Sequence, residues 1–81
     1  MKLQKSEGRA NSAGVRVRQR REELGISQEQ LAARAQLEGL SITQKAVSRM
    51  ETGDRVMPDY ELPVLARILG VTVDWLLGLT D

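Results

Sequence analysis

Cysteine and histidine do not occur among the 81 residues. Without cysteine there is no disulfide and no thiolate metal site. Without histidine the commonest metal ligand and general base is gone. Phenylalanine is missing too, and the aromatics reduce to one Trp and one Tyr. A core must therefore come from Leu, Ile, Val, Met and Ala. No apolar run approaches the length that spans a bilayer, and the opening MKLQKSEGRANSAG lacks the apolar h-region of a signal peptide. The acids are scattered, with no Gly-rich phosphate loop and no paired carboxylates, so neither an enzyme nor a bound metal or cofactor is expected. The length supports one small domain of modest stability. Most periodic apolar residues should then be core.

The net charge is only +1, yet it is unevenly spread. Residues 1–21 carry Lys2, Lys5, Arg9, Arg16, Arg18, Arg20 and Arg21 against the single acid Glu7, whereas residues 22–81 carry five basic and ten acidic residues. Such asymmetry fits a polyanionic partner at the N-terminal end. It fits a solvated basic tail equally well.

Helical signals punctuate the rest of the chain. Residues 1–11 have no apolar period and read as a flexible polar arm, with the domain expected over residues 12–81. A first helix is expected from about Ser12 to Leu24, with Val17, Arg21 and Leu24 on one face and Gly25 as its stop. In SQEQLAARAQ, Ser27 and Gln30 have capping-box spacing, and Leu31, Ala32 and Ala35 form an inward stripe. Thr43 is the N-cap of a third helix over Gln44 to about Glu51, ended by Gly53. A fourth helix starts at Asp59 or Tyr60 and runs to Leu69, its regular part delayed by Pro63, with Leu62, Leu65, Ala66 and Leu69 inward. Thr72 caps a short last helix, VDWLL. No strand pattern or internal repeat is visible. The expectation is an all-α, compact five-helix orthogonal bundle.

The second and third helices have the outline of a helix-turn-helix, whose second helix enters the major groove. Helical spacing puts Val47 and Met50 inward and Gln44, Lys45, Ser48 and Arg49 outward. Gln can pair with both polar atoms of an adenine edge, and Arg or Lys with O6 and N7 of guanine. Nearly every surface helix is polar outside, however, so this face alone does not decide the matter.

Three blocks in order, GISQEQLAARA, ITQKAVSRMETG and LARILGVTVDWLLG, resemble the Cro and phage-repressor type of helix-turn-helix domain, the XRE-like family, over roughly residues 13–78. The resemblance implies a lambda-repressor-like fold. It implies sequence-specific binding of duplex DNA by a transcriptional regulator, usually a dimer on a palindromic operator, here expected to be a cytoplasmic repressor of bacterial or phage origin. By position, Gln28 matches a residue that braces phosphate and the neighbouring base-reading Gln. Thr43, Gln44, Lys45 and Arg49 match backbone- and base-contacting positions. Arg55 lies where further phosphate contacts are made, and Arg21 and Glu51 match an internal ion pair. QLEGLSI makes the turn before the third helix longer than the family's usual one, so Leu37 or Leu40 is expected to fold back on the core. The following loop, GDRVMPDY, is less basic than is common, which shifts phosphate contact toward Arg16, Arg18 and Arg20. Trp75, Leu76, Leu77 and Leu79 crowd the C-terminal segment, where they would either close the core or form a self-complementary patch. Two other readings use the same sequence: an antitoxin or restriction–modification controller that also binds a protein, and a helical interaction module that never touches DNA.

Overall fold

A computed structural model describes the backbone of residues 5–80 and the side chains of residues 13–80. Five helices follow one another among the described residues, with no strand: α1 (Lys5–Glu23), α2 (Gln28–Leu37), α3 (Gln44–Thr52), α4 (Glu61–Leu69) and α5 (Val73–Leu76). None is long and apolar enough to cross a membrane. The all-α bundle expected from the periodicity is what the chain forms.

The expected caps are present as hydrogen bonds. The Ser27 hydroxyl accepts from the Gln30 amide at 3.0 Å, and the Gln30 side chain accepts from the Ser27 amide at 2.8 Å, closing the capping box. Thr43 accepts from the Ala46 amide at 3.1 Å and Thr72 from that of Trp75 at 3.0 Å. Each bond satisfies an amide that the first turn of a helix leaves unpaired. Pro63 lies in the first turn of α4, where its missing N–H removes no helical bond.

Two boundaries differ from expectation. The helix expected from Ser12 begins at Lys5. Residues 5–11 have no apolar period to announce them, but extending a helix that is already nucleated costs little. Of the arm expected over residues 1–11, residues 1–4 lie outside the described residues. Leu24 does not share the inner face with Val17 and Arg21; it is 40% exposed. The helix stops at Glu23 and the Gly25 turn breaks the angular register, so Ile26 is buried instead.

The core is aliphatic, as the composition requires. Val17, Leu31, Ile42, Val47, Met50, Leu65, Leu69 and Leu76 are fully buried. α1 packs against α3, α4 and α5, and α2 against α3 and α4. α1 and α3 approach closely at Gly14, where an added Cβ would stand 1.9 Å from the Met50 carbonyl oxygen. That oxygen belongs to backbone, so a larger residue would have to push the two helices apart.

The long turn before α3 is a built structure. Gly39 has φ 95° and sits just past the end of α2. The Leu40 amide donates to the Ala35 carbonyl and the Gly39 amide to that of Gln36, each at 3.0 Å, which is the Schellman pattern. Leu40 packs against the core, whereas Leu37 points to solvent, 88% exposed. The Gln36 side chain reaches across and donates to the Ile42 carbonyl at 2.7 Å. Ile42, fully buried, anchors the chain just before Thr43. The extra residues thus bulge outward, and α3 keeps a fixed approach to the core.

Candidate nucleic-acid interface

α3 divides as the spacing predicts. Val47 and Met50 are buried; Thr43, Gln44, Lys45 and Arg49 are exposed and Ser48 is half-buried. Neither Lys45 nor Arg49 forms an ion pair among the described residues. Two unneutralised cations and an amide therefore face outward from one short helix.

Behind this face runs a chain of polar contacts. Arg21 Nε donates to Glu51 Oε2 at 2.7 Å, Arg21 Nη2 to Glu51 Oε1 at 3.0 Å, and Arg21 Nη1 to the Ile26 carbonyl at 2.9 Å. The Glu51 side chain is only 2% exposed and that of Arg21 11%. A carboxylate taken so far out of water requires a charged and geometrically matched partner. The hydrogen bond to Glu51 pushes the Arg21 guanidinium above its ordinary range, against the opposing effect of burial. Glu51 Oε1 also accepts from Gln28 Nε2 at 3.0 Å, and Gln28 Oε1 accepts from Gln44 Nε2 at 2.7 Å. Arg21, Gln28 and Gln44, with Ser27 and Glu29, line an open depression where the starts of α2 and α3 converge.

The structure thus brings Arg21, Glu51, Gln28 and Gln44 into one connected set, with Thr43 capping the helix that carries Lys45, Ser48 and Arg49. It places the other two site residues elsewhere. Arg18 is exposed and pairs with Glu22 one turn along α1, at 3.2 Å. Arg55, expected to contact phosphate, has Nη1 and Nη2 on the two oxygens of Glu61, each at 2.8 Å. That hydrogen-bonded pair raises the Arg55 guanidinium above its ordinary value. Any phosphate contact there has to use the remaining N–H groups.

Two further α1 arginines, Arg20 and Arg16, are also engaged. Arg20 Nε donates to the Leu69 carbonyl at the end of α4 at 2.8 Å, and its Nη1 pairs with Glu23. The Arg16 guanidinium lies 4.6 Å from the centroid of the Trp75 ring. Both side chains reach toward α4 and α5, which leaves them poorly placed for the phosphate role suggested by the less basic loop. At the C-terminal end Leu76 is fully buried, so it cannot belong to an association patch; it closes the core. Trp75 is half-buried, while Leu77 and Leu79 are 40% and 69% exposed. The buried Glu61 and the Gln36 clamp escaped the sequence reading. Arg55–Glu61 spans a loop at a separation with no helical meaning, and Gln36 on α2 looks like any exposed polar residue.

Two short capped helices, joined by a hydrogen-bonded turn, with the second offering an outward polar face, define the helix-turn-helix class. A family model described as a helix-turn-helix domain matches residues 12–76, and the chain belongs to this family, of the Cro and phage-repressor (XRE-like) type. Membership points to a DNA-binding regulator.

Proposed function

We propose that the protein is a sequence-specific regulator of transcription, a repressor, that reads the major groove of duplex DNA with α3. The observation that carries this reading is the exposed face of Gln44, Lys45 and Arg49, whose two cations have no ion-pair partner among the described residues. Gln44 has the donor and acceptor that an adenine edge complements, and Lys45 and Arg49 can donate to guanine O6 and N7. Thr43 and Ser48 flank them toward the DNA backbone, and the N-terminus of α3 favours a phosphate. Arg18 contributes to phosphate by exchanging its exposed pair with Glu22, a partnership worth little in water.

The protein acts as a homodimer on a palindromic operator in the cytoplasm. Leu77 and Leu79, beside the half-buried Trp75, are the apolar side chains that support self-association at the C-terminal segment. Such a dimer sets its recognition helices about 34 Å apart, one turn of DNA. Selection from a randomised duplex library at low salt tests the reading: enrichment of a two-fold symmetric site is expected, and no enriched duplex would sink it. Sedimentation with and without that duplex tests the dimer, which a monomer in both conditions excludes.

A further inference from the structure

We infer that α1 and α5 together form a self-complementary patch for a second copy of this chain, in which Arg16 of each copy pairs with Asp74 of the other beside Trp75 and Leu79. The inference rests on the proposed homodimer and adds to it a second helix and a reciprocal charge pair. It starts from the way the helices end. All five close on a glycine at positive φ, and the residue after that glycine donates its amide to the carbonyl five residues back, at 2.8 to 3.2 Å. Those residues are Ile26, Leu40, Asp54, Val71 and Leu79. Ile26 is buried, and Leu40 and Val71 pack against the core. Leu79 has the same place in the same turn, its amide 2.8 Å from the Asp74 carbonyl, yet it is 69% exposed. A lone exposed leucine is ordinary on a protein surface. One held by backbone bonds in a position that is covered at every other helix end where it is apolar lacks its cover among the described residues.

The charges around Leu79 say what the cover is. The Arg16 guanidinium lies 4.6 Å from the centroid of the Trp75 ring, and stacking there fixes its place without neutralising it. Asp74 precedes the ring in the chain and is exposed. Neither Arg16 nor Asp74 forms an ion pair among the described residues. The half-buried Trp75 and the exposed Leu79 thus have an unpaired cation and an unpaired anion as neighbours. A two-fold contact presents one patch twice, so the patch must be complementary to itself. One cation and one anion meet that demand: each copy supplies the charge that the other lacks, and the apolar side chains meet between the two pairs. A partner of uniform charge would set like against like at one of the two positions.

The test is sedimentation of the full chain, alone and on the selected duplex. Arg16→Glu or Asp74→Lys should each oppose like charges and raise the dimer dissociation constant about tenfold or more. An equimolar mixture of these two variants should form a heterodimer within roughly threefold of wild-type affinity, because each reversed charge then faces its opposite. Leu79→Ser should weaken the dimer and gain nothing from mixing with either. Should a reversal fail to fold, Arg16→Gln and Asp74→Asn carry the test, each weakening the dimer about threefold or more through the loss of two pairs. A wild-type dimer that these charge changes leave unaltered, or a loss in the folded reversals that mixing does not repair, overturns the inference and leaves the homodimer standing. A wild-type monomer in both conditions overturns both.

Discussion

Arg16, Arg18, Arg20 and Arg21 on α1 and two cations on α3 lie in the same small domain, and the structure uses them in different ways. Arg16 lies over Trp75, Arg18 pairs with Glu22, Arg20 donates to the Leu69 carbonyl and Arg21 is locked to Glu51. Lys45 and Arg49 have no ion-pair partner among the described residues. In the sequence α1 is the basic element, and charge counting alone points a polyanion toward it. The fold shifts that emphasis: Arg16, Arg20 and Arg21 are tied into the bundle, and the less basic α3 holds its cations outward. What recommends a cation for binding is the absence of an internal partner.

Substitutions on the two helices should therefore separate stability from recognition. The largest effect is expected from Glu51→Ala, which strands the nearly buried Arg21 charge and should cost about 3–5 kcal/mol of unfolding free energy. Urea denaturation would show it, and unchanged stability would break the assignment of Arg21 to structure. Lys45→Ala or Arg49→Ala should weaken binding to the selected duplex by about 1–3 kcal/mol and relax base choice at one position. The same variants should denature like wild type, because neither side chain has an ion-pair partner among the described residues. Arg20→Ala should do the opposite. Loss of the bond to Leu69 should cost about 1 kcal/mol of stability, with the folded protein keeping its sequence preference; a large change in preference would place Arg20 at the interface after all.

The smallest effect sharpens the comparison from the acidic side of α1. Glu23 is hydrogen-bonded by Gln19 and Arg20, which hold its carboxyl below the ordinary value of 4.5. A carboxyl lowered on folding adds stability above its unfolded value, and that contribution disappears as pH falls through the folded one. Glu23→Gln should thus lower the melting temperature slightly at neutral pH and not at all in strong acid. A difference that grows on acidification would contradict the sign.

Local features of this fold were open to sequence reading because their chemistry is local. Ser27 with Gln30, Thr43 and Thr72 fall at cap spacing, and the inward faces of α3 and α4 follow the helical period. The Arg21–Glu51 pair was available only through family resemblance, since thirty residues separate its members. What stayed hidden lies across turns, where no period operates. Ile42 is an isolated apolar residue in an irregular segment, yet it is fully buried. Arg55 looked like a free loop cation, because nothing in the spacing says that Glu61 folds back onto it. Leu24 continued an apolar stripe beyond the point where the helix ends.

The anchored turn before α3 makes loop length and the seating of α3 independent variables. Through Leu40 the turn is closed by its own hydrogen bonds and by the packing of that side chain, and an added residue beside the exposed Ser41 only enlarges a bulge facing water. Past Ile42 the Thr43 cap follows at once, so one more residue there would part the buried anchor from the cap that starts α3. If α3 reads DNA as proposed, a glycine inserted after Ser41 and another inserted after Ile42 should therefore differ in duplex selection, the first keeping the wild-type site and the second weakening it. Ile42 is the hinge pin of α3: variation in length can accumulate on one side of it without being transmitted to the other.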